Sequence, residues 1–513
     1  MRSVMTIASC SLLAACSGGS ASPPPPPPPP PNSAPSFTSA AAASVPENSV
    51  AAYTATASDP DGNVLTYSIV GGADAARFTR TAGGALSFVQ RPNFEAPADV
   101  GGDNIYVVQI QVSDGQATAS HTVQITVTDD REGIALRRVG TGFDQPVYVA
   151  AIPGDRRVWV IEKKAGQIKI LDPATGAQSL FMSVRHVFDP VTGNPVEDFR
   201  SMNDSGLHSI VAQPDYATSG YFYVSVTTTM GRLEVRRYRR GADGLGNPRD
   251  MVRNLTIDYS LNDSNYAGWL GFGPNGQDIY IATGEGTNRR NASGTSQNTN
   301  NLLGKILRVR ANPDPFGGAT PDHSFVPAPG NPFLAGGGDP RVFAYGLRRP
   351  YRASFYNGQL LIGEDGMDWV EEVNLLRPDH DAGANYGWDD WEGTRQYRNV
   401  ATPNHYFPVT EYRKGLPPFL GTSIVGGYVY RGPIQSLAGH YVFGDAFSGK
   451  IWTVPFQSFQ QGNVLPSTAY ETRNLDFMPN QGTLDRLASF GEDAAGNLYI
   501  VDLDGDIFMV TPG

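Results

Sequence analysis

Between Pro35 and about Asp130, apolar and polar residues alternate in short runs. Examples are Ala51-Ala52-Tyr53-Thr54-Ala55-Thr56-Ala57, Leu65-Thr66-Tyr67-Ser68-Ile69, Tyr106-Val107-Val108-Gln109-Ile110-Gln111-Val112 and Thr122-Val123-Gln124-Ile125-Thr126-Val127. A period of two between clusters of Gly, Pro, Asp and Asn marks half-buried strands joined by turns, so residues 35–131 predict one β-sandwich. From 134 to 513 the pattern becomes an apolar run, a polar turn and an aromatic-rich strand. This unit recurs at Val147 to Ile161, Gly206 to Val226, Trp269 to Thr283, Arg352 to Glu364, Gly427 to Trp452 and Ala488 to Val501. Six such units predict an all-β six-bladed β-propeller with long loops, because radial repetition keeps every sheet edge short or covered. No amphipathic helix of any length interrupts them.

The first residues carry a different signal. Arg2 is followed by an apolar or small stretch from Val4 to Ala15, ending in Leu13-Ala14-Ala15-Cys16. This resembles a lipoprotein signal with its lipobox, so residues 1–15 are expected to be a removable signal peptide. Cys16 is then the lipidated first residue, and the chain is tethered to a membrane in the cell envelope; Ser17 after it suits an outer membrane. Residues 16–34 include the proline run Pro23 to Pro31, a stiff polyproline II spacer of about 3.1 Å per residue. The only other cysteine is Cys10, so the folded part offers no disulfide, cysteine nucleophile or cysteine zinc site. With a net charge of -11 and no Lys/Arg block, no nucleic-acid partner is expected. The densest basic run, Arg236-Arg237-Tyr238-Arg239-Arg240, alternates like a solvated strand face.

Several segments of the repeat region carry a family resemblance. They include Gly206-Leu207-His208-Ser209-Ile210-Val211-Ala212-Gln213-Pro214-Asp215-Tyr216, Asn301-Leu302-Leu303-Gly304-Lys305-Ile306-Leu307-Arg308, Tyr345-Gly346-Leu347-Arg348-Arg349-Pro350 and Asn385-Tyr386-Gly387-Trp388. Gly427-Tyr428-Val429-Tyr430-Arg431-Gly432 and Tyr441-Val442-Phe443-Gly444-Asp445 complete the set. In this order they resemble the soluble quinoprotein glucose/sorbosone dehydrogenases, to which the hedgehog-interacting-protein propellers are related. The resemblance implies pyrroloquinoline quinone on the propeller axis, polarised by calcium and oxidising a sugar while a histidine takes the hydroxyl proton. By motif, the carbonyls of Gly366 and Met367 would meet the cofactor calcium, and Arg348 would face the quinone. Glu285 stands where an Asp is usual, Arg349 replaces an Asn, and Asp204 lies where a Gln contact is expected. Lys450 would pair with a quinone carboxylate, and Glu372 matches a structural calcium ligand. Blander roles remain open: a turn ion pair for Arg348, a surface charge for Lys450, a tight turn for Gly366.

One position departs from the family. Its base is a histidine, in Asn-His-x-Gly-Gly, where this chain reads Ser264-Asn265-Tyr266-Ala267-Gly268. Asn265 can orient a hydroxyl, but it has no proton-accepting state near neutral pH. His208 is a candidate substitute, although a buried structural histidine is the commoner case. Asp379-His380-Asp381 reads as a solvated loop cluster, and no nucleophile elbow, zincin motif or phosphate loop occurs.

The sandwich segment resembles cadherin-like repeats through Pro46-Glu47-Asn48-Ser49, Asp59-Pro60-Asp61-Gly62-Asn63, Asn93-Phe94-Glu95 and Ser113-Asp114-Gly115. That resemblance implies a calcium ion at the junction with the next domain, held by Glu47 and Glu95 with Asp129 and Asp130. Turn-forming Asp and Asn without metal explain the same residues. The whole reading is a membrane-anchored sugar oxidoreductase of quinoprotein ancestry. Its rival is a propeller without catalysis that binds a sugar, a polysaccharide or a protein.

Overall fold

The structure, a computed structural model, describes residues 30–259, 264–286, 294–311, 325–415 and 420–513. The lipobox with Cys16 and most of the proline run lie outside these residues. In the first domain, the strands Ala42–Pro46, Thr118–Thr128, Ile105–Ser113 and Thr66–Gly71 form one sheet, in that spatial order, with the first pair parallel. Ala51–Thr54, Ala85–Phe88 and Phe78–Arg80 form the facing sheet. In Ile105–Ser113 every second residue is buried, which is the alternation that makes one face of each strand core. Tyr106, Val108, Ile110, Val112, Val123 and Ile125 fill the space between the sheets with Phe78 and Phe88.

The second domain is a six-bladed propeller. Its inner strands are Pro146–Ala151, Leu207–Ala212, Ala267–Phe272, Pro350–Tyr356, Ile424–Val429 and Leu487–Glu492, and each contacts the next around a closed ring. Each pairs with the following strand as an antiparallel hairpin. These hairpins coincide with the six repeats of the sequence. Inner strands are buried along nearly their whole length, so their apolar runs are continuous rather than alternating. Aromatic residues pack within and between blades: the Trp159 ring lies 5.3 Å from Phe181 of its own blade and 5.3 Å from Tyr216 of the next.

Two features were not legible in the repeats. The last blade is completed by the first strand of the domain, because Ile134–Gly140 pairs with Ile507–Pro512 at the far end of the chain. The basic run of blade 2 is also not a wholly solvated face. Arg236 is fully buried, paired with Asp198 at 2.6 Å and Glu234 at 2.7 Å, whereas Arg237 and Arg239 lie over the Tyr221 ring. A carboxylate from the preceding loop supplied the partner that local alternation could not reveal. Among the described residues no helix is long and apolar enough to cross a membrane.

Candidate functional site at one mouth of the propeller

The entry ends of the inner strands gather Asn265, Glu285, Arg348, Arg349, Asp204 and Asp365. Close backbone packing sets this arrangement. A Cβ on Gly284 would run into the Asn265 carbonyl, and one on Gly366 into the Val370 carbonyl, so both positions need glycine for approach rather than for charge. Asn265 adopts a left-handed conformation, φ 55°, which asparagine tolerates better than most residues. Its Nδ2 donates to Glu285 Oε1 at 3.1 Å, while Trp388 Nε1 donates to Glu285 Oε2 at 2.8 Å. Arg348 Nε stands 3.6 Å from Glu285 Oε1. Burial raises the Glu285 pKa, Trp388 and Arg348 oppose it, and the balance is about 7.

Beside it, three cations surround one carboxylate. Asp365 receives Arg349 at 2.8 Å and Lys414 at 3.0 Å, with Arg348 at 3.8 Å. Burial would raise the Asp365 pKa, but Lys414, Arg349 and Arg348 overcome it and hold it near about 2. Arg349 also bonds Asp204 at 3.0 Å, and Asp204 accepts the Asn265 backbone N–H at 2.9 Å. Behind them Glu364 accepts the Arg349 N–H at 3.1 Å and is pushed by burial to about 8. The Nε groups of Arg348 and Arg349 are buried donors that complete no hydrogen bond among the described residues.

The Gly366 carbonyl accepts from Arg348 and from Lys414, both at 2.8 Å. The position assigned by resemblance to calcium is thus capped by two cationic side chains. Met367 lies alongside, and its N–H donates to Glu392, which gathers three neighbouring N–H groups as well. Glu372 is buried against Asn374 at 3.1 Å, with its pKa raised well above 4.5 by burial and then by Glu364 and Glu411. Lys450 is not part of the cluster: it sits on the half-exposed hairpin turn after Asp445. Lys414 holds the cationic place instead. No motif surrounds Lys414, and it reaches Gly366 across 48 residues of sequence, so the chain text offered no signal for it. His208 is neutral and occupied, its Nε2 2.8 Å from the Thr227 hydroxyl. Burial, then Lys163, Arg352 and Arg349, hold its pKa well below 6.5.

A second cluster lies where the sandwich meets the propeller. Carboxylate oxygens of Glu47, Glu95 and Glu132 lie within 4.8 Å of one another, as do those of Glu95, Asp129 and Asp476. Asp130 is spent differently, capping the Glu132 N–H at 2.8 Å. Arg473 enters this group from the propeller, 2.7 Å from Glu132, 2.8 Å from Glu471, 3.2 Å from Asp476 and 3.3 Å from Glu95. Asp476 Oδ1 is buried without a hydrogen bond. Asp476 and Glu132 were not legible as members because their proximity is purely tertiary.

The family description Glucose / Sorbosone dehydrogenase matches residues 143–433, more than half of the chain, and Bacterial Ig domain matches residues 32–128. The HIPL1 protein of Arabidopsis thaliana is 29% identical over 52% of this chain and 41% of its own length. The Hedgehog-interacting protein of Mus musculus is 24% identical over 72% of this chain and 50% of its own. The chain therefore spans half or less of these curated relatives. The PQQ-bound aldose sugar dehydrogenase of Streptomyces coelicolor has the same propeller fold, with a TM-score of 0.53, 22% identity, and coverage of 74% of this chain and 98% of that one. From the repeats, the ring of blades and the matched segment together, the chain belongs to the glucose/sorbosone dehydrogenase family.

Proposed function

We propose that this propeller is a cell-envelope oxidoreductase, lipid-anchored through Cys16, that oxidises an aldose or related sugar with pyrroloquinoline quinone. The observation that carries the proposal is the gathering of Arg348, Arg349 and Lys414 around Asp365, next to the buried Glu285 carboxyl that Arg348 also faces and whose pKa is about 7. Two orphaned guanidinium Nε donors suit an anionic, carboxylate-bearing quinone. When bound, such a quinone supplies a two-electron acceptor for the hydride of a sugar carbon. Arg348 and Arg349 hold the anionic group and face developing negative charge. Asn265 lacks basicity, so the proton of the sugar hydroxyl goes to Glu285, whose two oxygens are fixed by Asn265 and Trp388. An axial calcium does not fit this arrangement, because the Gly366 carbonyl is already taken.

Calcium would have to displace Arg473 at the domain junction, where Glu95, Asp129 and Asp476 bring their oxygens together and Asp476 Oδ1 completes no hydrogen bond among the described residues. A second reading is favoured by Asn265 itself: with the usual base absent, the propeller binds a saccharide or protein without turnover. The two readings separate in one experiment. Mature protein mixed with pyrroloquinoline quinone is expected to retain the chromophore through gel filtration and to reduce a dye with an aldose panel. A folded protein that does neither overturns the enzyme reading. In cells, Cys16→Ser should move the chain from the membrane to the soluble fraction; an unchanged distribution removes the anchor.

A further inference from the structure

The axis of the propeller has a second mouth. The exit ends of all six inner strands line a cavity of about 380 Å³, inside the range of small-ligand pockets. Its walls are mainly apolar strand residues, with the aromatic side chains of Tyr148, Trp269, Phe355 and Tyr428 among them, and Arg431 and Glu492 also line it. Arg352 separates it from the cofactor mouth. That guanidinium is buried, bonded to the Val147 carbonyl at 2.7 Å and Ser489 at 3.1 Å, and packed 5.0 Å from the Tyr148 ring. The two mouths are thus separate chambers.

The chemistry of this chamber selects its occupant. Arg431 is neutralised by Glu492 through a bidentate pair, one arm of which measures 3.2 Å, and Asp493 stands beside it, so an anion gains no net positive charge. A cation gains no net negative charge from the same closed pair and meets the buried Arg352 beneath. What remains is the pair of Tyr148 and Tyr428 hydroxyls, 3.2 Å apart, beside the paired Glu492 carboxylate. Aromatic faces with a few fixed donors and acceptors match the alternating C–H and O–H faces of a pyranose. We propose that this second mouth is a binding site for a neutral saccharide, one ring resting against Phe355 and Tyr428, its hydroxyls bonded by Tyr428 and Glu492. The site stands independently of any activity at the cofactor mouth.

Calorimetric titration of the intact protein with methyl glucoside, methyl galactoside, maltose and cellobiose tests this, with glucuronate and choline as charged probes. At least one neutral sugar should bind saturably, and Tyr428→Ala and Glu492→Gln should each weaken it tenfold or more. Tyr428→Phe, which keeps the ring, should lose less, and Arg348→Ala at the other mouth should leave binding unchanged. Circular dichroism confirms that each variant is folded. Absence of saturable binding by every neutral sugar overturns the proposal. So does tighter binding of a charged probe, or loss of binding in Arg348→Ala while the Tyr428 and Glu492 variants bind normally.

Discussion

In the proposed reaction Glu285 is the carboxyl that takes the proton. A base must be deprotonated to act, so with a pKa of about 7 its competent fraction rises as pH passes through neutrality. The rate of dye reduction at low sugar should therefore climb between about pH 6 and pH 8, and Glu285→Gln should lower it by about 10²- to 10⁴-fold and remove that limb. A variant with the wild-type profile would assign the proton elsewhere. The same shift has the opposite sign for stability: the contribution is complete below the ordinary glutamate range and is lost as pH rises through about 7. Arg348 and Glu285 were legible in the sequence because each sits inside a short motif next to an inner strand. The partner Trp388 lay in a recognised motif, but its bond to Glu285 spans 103 residues and no local pattern encodes it. Lys450 illustrates the converse: a lysine in a Gly-Lys hairpin turn looks like a ligand in the text, and it is Lys414, outside any motif, that reaches Asp365 and Gly366.

Among elements, the inner hairpins were legible and the closure was not. A run, a turn and a second run are local, whereas the pairing of Ile134 with Pro512 joins the two ends of the domain. That closing strand buries Ile134 and Leu136 in the core of the last blade. Leu136→Ala should destabilise the propeller by about 2–5 kcal/mol, the range for a buried leucine. Leu180→Ala, on the half-exposed outer strand of blade 1, should change stability by about 0.5 kcal/mol or less. Urea denaturation followed by tryptophan fluorescence compares the two, and equal midpoints would mean that the strand contributes nothing to closure.

For the whole molecule, the junction decides whether two domains behave as one. Arg473 is the cation among Glu95, Glu132, Glu471 and Asp476, all of them at least partly buried. Removing one partner of such a network leaves uncompensated charge, a loss of about 3–5 kcal/mol. Arg473→Met should therefore lower the melting temperature in chelator, and millimolar calcium should recover part of the loss by taking over the carboxylates. No recovery would mean that the acidic cluster does not hold the ion. The cadherin-like motifs pointed to Glu47, Glu95 and Asp129, but the propeller residues completing the group belong to a segment with no motif.

The closing strand also begins directly after the sandwich, with only the short turn Arg131–Gly133 between them. A mechanical pull on the sandwich is therefore delivered to the one strand that keeps the ring shut. Arg473 grips Glu132 within that turn, and Arg131 bonds the Leu475 and Met478 carbonyls. These contacts give part of the load a path into the segment after blade 5 before it reaches Ile134, which places the turn as a strain relief for the seam.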